Sequence, residues 1–139
     1  MRAIAAISLV LLGGCPQPGD GSTIGQTCFV DEECSSREAC ARDGLCWLAV
    51  DVRPVKTFWT VNGQAATQAA CSRYPNLYVQ YQGRTVENLG FSPVPCDIGE
   101  FNVDKLPRDY TRVEVGVDGG PWNATSIGSS GQVTVDLRF

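Results

Sequence analysis

Seven cysteines carry most of the reactive chemistry available to this 139-residue chain. A thiol can be acylated, oxidised with a second thiol or bound to a metal, and its setting decides which. Cys15 stands apart, directly behind Leu12-Gly13-Gly14 and an apolar run that begins at Ala3. The other six are Cys28, Cys34, Cys40, Cys46, Cys71 and Cys96, an even set that can pair off in an oxidising compartment. Histidine is absent. That removes the commonest general base, the usual partner of Ser and Cys nucleophiles, and the commonest metal ligand. A formal charge of -4 argues against nucleic acid as a partner, and against a polybasic grip on lipid headgroups.

The acidic clusters offer a second kind of chemistry. Asp31-Glu32-Glu33 and Asp118-Gly119-Gly120 could present oxygens to calcium, but neither has the spacing of a known calcium loop. Solvated turns are the expected reading of both. Ser, Lys and Arg residues are scattered without a nucleophile motif. A carboxylate pair for glycoside hydrolysis stays open on the sequence, although no second conspicuous acid sits in an apolar setting that would raise its pKa. No cofactor and no metal ion are expected.

The N-terminus has a positive start, a short apolar stretch and small residues, the pattern of a secretory signal. The stretch is about half of the ~20 residues needed to span a bilayer. Leu12-Gly13-Gly14-Cys15 resembles the lipobox of bacterial lipoproteins. The resemblance implies cleavage between Gly14 and Cys15, a diacylglyceryl thioether on the Cys15 sulfur, and an acyl group on its new amine. Membrane attachment through Cys15 follows, at about 0.8 kcal/mol per buried methylene. In that family aspartate after the cysteine signals inner-membrane retention, so with Pro16 the resemblance favours the outer membrane, where the organism has one, and inner-membrane retention is the alternative.

Four segments are expected: a signal over residues 1–14, a lipidated cysteine and flexible tether over 15–23, a disulfide-rich module over 24–48, and a β-sandwich over 50–139. Pro16 to Thr23 is Pro, Gly and polar residues without an apolar period, the composition of a spacer. In the module, Cys28, Cys34, Cys40 and Cys46 recur with five residues between neighbours. Its other residues are mostly polar, so covalent links must hold it. Four cysteines allow three pairings, and spacing alone does not choose. Cys28 with Cys40 and Cys34 with Cys46 is the expectation, each closing a loop for about 3 kcal/mol. A four-thiolate zinc site is the alternative, although structural zinc usually takes ligand pairs two to four residues apart. Gly44 ahead of Leu45-Cys46-Trp47 suggests a turn into a short strand. The run from Gly25 to Cys46 is similar to short cysteine modules that follow the signals of myxobacterial lipoproteins, and distantly to the Dickkopf N-terminal module. That likeness implies an extracellular spacer or interaction unit.

Beyond residue 50 the pattern becomes one of short alternating segments. Val55, Thr57, Trp59 and Val61 share one side, as do Leu77, Val79 and Tyr81, and then Val133, Val135, Leu137 and Phe139. Phe101-Asn102-Val103 and Val113 to Val117 keep the same period, with turn signals between them such as Asn62-Gly63 and Asp118 to Pro121. The fold class expected is mainly β, an antiparallel sandwich behind the disulfide-rich module. Ala65 to Cys71 is the one stretch expected to be helical. Cys71 and Cys96 are left for each other, and Trp59 is placed to pack the two sheets. Phe58 to Gly63 and Leu106 to Val115 resemble immunoglobulin-like and prealbumin-like domains of bacterial surface proteins. Tyr110 is out of phase with Val113 and Val115, so either a bulge restores the phase or the assignment is off by one residue. The alternating C-terminal strand is similar to the last strand of outer-membrane barrels, but the strands are too short for one. These features lead to the expectation of a non-catalytic binding or envelope-structural lipoprotein with a protein or glycan partner. The alternative is a small extracytoplasmic hydrolase using carboxylates.

Overall fold

The computed structural model describes residues 21–139, and they form a small disulfide-bonded hairpin unit followed by a two-sheet β-sandwich. The hairpin unit holds β1 (Glu38–Cys40) and β2 (Cys46–Leu48), paired antiparallel, with a single 3-10 turn at Asp31–Glu33. Its core is sulfur. Cys28, Cys40 and Cys46 are its buried cluster, with Cys34 packed against them. Bridges join Cys28 to Cys40 and Cys34 to Cys46, with Cα–Cα separations of 5.8 and 5.7 Å. The Sγ atoms of Cys28, Cys34 and Cys46 lie within 4.8 Å of one another, but each is spent in a bridge rather than available as a thiolate. The end of the expected tether is already tied down. Ser22 Oγ donates to Glu38 at 2.8 Å, and Ser35 Oγ donates to the Gly21 carbonyl at 2.6 Å.

The sandwich begins with β3 (Val52–Val61), whose alternating burial follows the period of two: Val55, Thr57, Trp59 and Val61 point inward. The Asn62-Gly63 turn has φ of 51° and 75°, the two left-handed residues of a tight hairpin into β4 (Gln64–Ala65). One edge of β3 carries β7 (Glu100–Pro107), antiparallel. The other edge carries β10 (Gln132–Leu137), which runs parallel to β3 with Gln132 opposite Lys56 and Leu137 opposite Val61. Among the described residues every other strand pair is antiparallel, as expected, and this pair alone departs from the pattern. Gly131 makes the approach possible. Its φ is 71° and a Cβ there would strike the Pro54 carbonyl oxygen.

The facing sheet has the order β6 (Leu89–Pro95), β5 (Asn76–Gly83), β8 (Tyr110–Gly116), β9 (Trp122–Ser126). Leu77, Val79 and Tyr81 of β5 and Val113 and Val115 of β8 are fully buried against β3, β7 and β10. Tyr110 joins them at 1% exposure because the ladder slips between Gln82 and Gly83: Gln82 faces Arg112 while Gly83 faces Tyr110. The extra residue is a β-bulge, and it puts Tyr110 back in phase with Val113. Residues 68–73 form consecutive turns instead of the helix expected over Ala65 to Cys71. Thr67 Oγ1 accepts the Ala70 N–H and the Thr67 carbonyl accepts the Cys71 N–H, after which the bridge to Cys96 takes the chain away.

Two inward polar contacts fix the middle of the sandwich. Trp59 Nε1–H donates to the Cys96 carbonyl at 2.7 Å, tying β3 to the loop that holds the Cys71–Cys96 bridge. Thr57 Oγ1 and the Tyr81 hydroxyl are 2.9 Å apart across the sheets. Burial pushes the Tyr81 phenol up to about 12, and burial with the nearby Asp43 carboxylate does the same to Tyr110. An unfolded tyrosine ionises near pH 10. Both groups therefore contribute stability that is complete below about pH 10 and is lost as pH rises toward 12. Absorbance at 295 nm should show two of the chain's tyrosines ionising with the alkaline unfolding transition; ionisation of both near pH 10 in the folded protein would contradict this burial.

Candidate functional site

The outer face of the β6-β5-β8-β9 sheet carries a concentrated aromatic feature. Alternation that sends Leu77, Val79 and Tyr81 inward must send Tyr78 and Gln80 outward. The same rule on β8 turns Arg112, Glu114 and Gly116 out, and their neighbours across the ladders are set by register. Tyr78, Gly116 and Trp122 form one row across three strands, and Gly90, Gln80, Glu114 and Ala124 form the next. Tyr78 and Trp122 are 39% and 42% exposed. Two strand spacings would separate their backbones by roughly 10 Å. Their ring centroids are nevertheless 5.9 Å apart, tilted by 46°, because the Trp122 indole lies over Gly116 between the two strands. A Cβ on Gly116 would meet the indole at 2.6 Å, so the glycine is what lets Trp122 lie across the sheet.

Beside these rings, Gly90 leaves open space next to Gln80. Tyr78, Gln80, Gly90, Phe91, Ser92 and Trp122 line a shallow depression of about 490 Å³. Its charge is balanced nearby. Arg112 Nη2 lies 3.8 Å from Glu114 Oε1, so the cation of this face sits beside an anion. The arrangement combines two apolar ring surfaces with an amide and a hydroxyl. Such a surface is suited to stacking and hydrogen bonding.

A second depression of about 450 Å³ lies where the hairpin unit meets the sandwich, lined by Phe29, Val30, Asp31, Arg42, Lys105 and their neighbours. This junction is a set of ties. The Arg42 N–H donates to the Lys105 carbonyl at 3.0 Å, so the hairpin unit occupies part of the β7 edge. The Arg42 guanidinium grips Asp104 through two hydrogen bonds of 2.6 and 3.0 Å, and Lys105 Nζ reaches both Asp31 oxygens at 2.8 and 2.6 Å. The hydrogen bond from Lys105 holds the Asp31 carboxyl below its usual range, and that from Arg42 does the same for Asp104. Lowered acid pKa values give stability that is complete above the unfolded value and lost as pH falls through the folded one. The junction should loosen below about pH 4, and faster exchange of the Arg42 amide proton there, ahead of sandwich unfolding, is the check.

The acidic cluster of the hairpin unit is thus used internally. Asp31 accepts the Cys40 N–H as well as Lys105, and Glu33 accepts the Phe29 N–H at 2.6 Å. That last bond sets the backbone that presents Phe29, at 92% exposure the most exposed large apolar side chain described. Asp43 is the carboxyl that burial pushes up, the property a general acid needs. Its oxygens, however, accept from the Leu45 N–H at 3.2 Å and the Trp47 Nε1–H at 3.0 Å, so it closes the β1–β2 turn.

Of the residues that the sequence marked, Gly14 and Cys15 lie outside the described residues, as does the signal over 1–14. The remaining six cysteines fall into three bridges, the third joining Cys71 to Cys96 at a Cα–Cα distance of 5.7 Å. Sequence reasoning passed over Tyr78 and Trp122. For Tyr78 the available signal was phase, since an aromatic residue out of step with the inward Leu77, Val79 and Tyr81 faces solvent. Trp122 had no such signal, because the inward residues of β9, Asn123 and Thr125, are polar. No protein-family model matches the chain, and no curated protein or solved structure shows significant similarity to it.

Proposed function

We propose that the chain is an exported lipoprotein, held to a membrane by acyl groups on Cys15, that presents a non-catalytic binding face to a partner in the cell envelope. The observation that carries this reading is the use of the cysteines. Six are committed to three bridges, which leaves Cys15 as the odd thiol directly behind Gly13-Gly14. An unpaired thiol in an oxidising compartment needs a fate, and acylation supplies one. The exposed Tyr78–Trp122 surface supports a role in binding, because exposed aromatic clusters on otherwise polar surfaces mark interaction sites. The outer membrane is the proposed destination, on the strength of Pro16.

Intact mass and thiol counting on protein extracted from membranes test the anchor. The expected result is a mature chain that begins at Cys15, carries acyl mass and has no free thiols, with palmitate label lost in Cys15→Ser. An unacylated chain, or free thiols among the six later cysteines, refutes the reading.

A further inference from the structure

We infer that the Tyr78–Trp122 face is a saccharide site that takes two consecutive units of an uncharged oligosaccharide. The inference rests on the binding role proposed above and names the ligand class. A sugar ring has apolar C–H faces and a polar hydroxyl rim, so a matching surface needs flat rings flanked by short polar groups. The depression supplies that combination: the rings of Tyr78 and Trp122, the Gln80 side-chain amide and the Ser92 hydroxyl. Gly90 leaves its position free of a side chain, with open space above it, so a sugar ring can approach the sheet there, beside the indole that covers Gly116. Gln80 is half-buried, which limits its freedom and so the entropy it would lose on binding.

Electrostatics select against charged ligands. Arg112 is next to Glu114 at 3.8 Å, so the face offers no unopposed cation to a phosphate, sulfate or uronate. The ring geometry selects further. At 46° the two aromatic planes are tilted against each other, which fits successive sugar rings that are turned relative to each other. Coplanar rings would instead suit a flat crystalline surface. Soluble, flexible glycan chains are therefore the expected form of the ligand.

The test uses the full chain as Cys15→Ser, in buffer or in a detergent without a sugar headgroup. A panel of neutral and acidic oligosaccharides is titrated while indole emission is read. The expected result is binding of one or more neutral oligosaccharides, weakened about tenfold or more by Trp122→Ala and by Tyr78→Ala. Both side chains are exposed, so an unchanged melting temperature in each variant separates loss of the site from loss of the fold. Binding that ignores both substitutions, a preference for acidic glycans, or no binding across the panel overturns the inference. Phosphatidylcholine vesicles form a further arm: a Trp122-dependent blue shift with vesicles and none with sugars makes this face a membrane contact and overturns it too. Because Cys15→Ser carries no lipid, saccharide binding is read independently of the anchor. Failure of palmitate labelling and failure of sugar binding are thus separate outcomes.

Discussion

Replacing Trp59 by alanine is expected to lower stability by about 3–5 kcal/mol, the range for removing a large buried aromatic side chain. Trp59 is 3% exposed on the central strand of its sheet, with β10 on one side and β7 on the other. Its indole spans the space between the sheets and ends in a hydrogen bond to the Cys96 carbonyl. Alanine there opens a cavity and also leaves that carbonyl without its donor, and a buried orphan costs about 1–3 kcal/mol in its own right. The two losses overlap and do not add. Trp59→Phe separates them, since it keeps most of the apolar volume and drops only the N–H. Thermal and urea unfolding followed by circular dichroism should place the alanine variant roughly 10–20 °C below the parent and the phenylalanine variant between them. A loss under about 1 kcal/mol for alanine would mean that Trp59 does not fill the centre of the sandwich.

The second large effect concerns the hairpin unit. Cys34→Ala with Cys46→Ala removes one of two bridges from a unit whose only buried cluster is made of cysteines. The loop-entropy contribution lost is about 3 kcal/mol. No set of aliphatic side chains stands ready to compensate, because the residues between the cysteines are mostly polar. Residues 24–48 should therefore lose protection from hydrogen exchange. The Cys28 N–H, now bonded to the Gly44 carbonyl at 2.8 Å, is a good reporter. The sandwich has its own core and its own bridge between Cys71 and Cys96, and should keep a cooperative melt. If both units lose protection together, the ties through Arg42 and Lys105 make them a single cooperative body.

Legibility differed between elements for physical reasons. The inward sets of β3, β5 and β10 could be read directly, because a half-buried strand writes its burial into the sequence with a period of two. The Asn62-Gly63 turn was equally plain, since two left-handed residues in succession favour those two types. The placement of Tyr110 was open between a bulge and a one-residue error, and only the pairing of Gly83 with Tyr110 decides for the bulge. Alanine and glutamine propensity suggested a helix near Ala65 to Cys71. Local bonds from Thr67 and the distant sulfur of Cys96 outweigh that weak preference. Parallel pairing of β10 with β3 has no local signature, because it joins residues more than seventy positions apart. The candidate site lies between these extremes. Tyr78 and Trp122 were passed over in the sequence, and their meeting is a product of register across three strands.

That parallel pairing also sets the order in which the sandwich can be completed. Strand β3 is the earliest strand of the sandwich and β10 the latest, yet they are neighbours. Until Gln132–Leu137 arrives, one side of β3 has its backbone groups facing water, and Trp59 and Val61 lack part of their cover. A ribosome delivers residues in sequence, so β3 must wait for Gln132–Leu137 before that side is paired. Delayed closure of this kind slows folding through its long-range contacts, and it leaves one flank of the first sandwich strand open to water until the two distant segments meet.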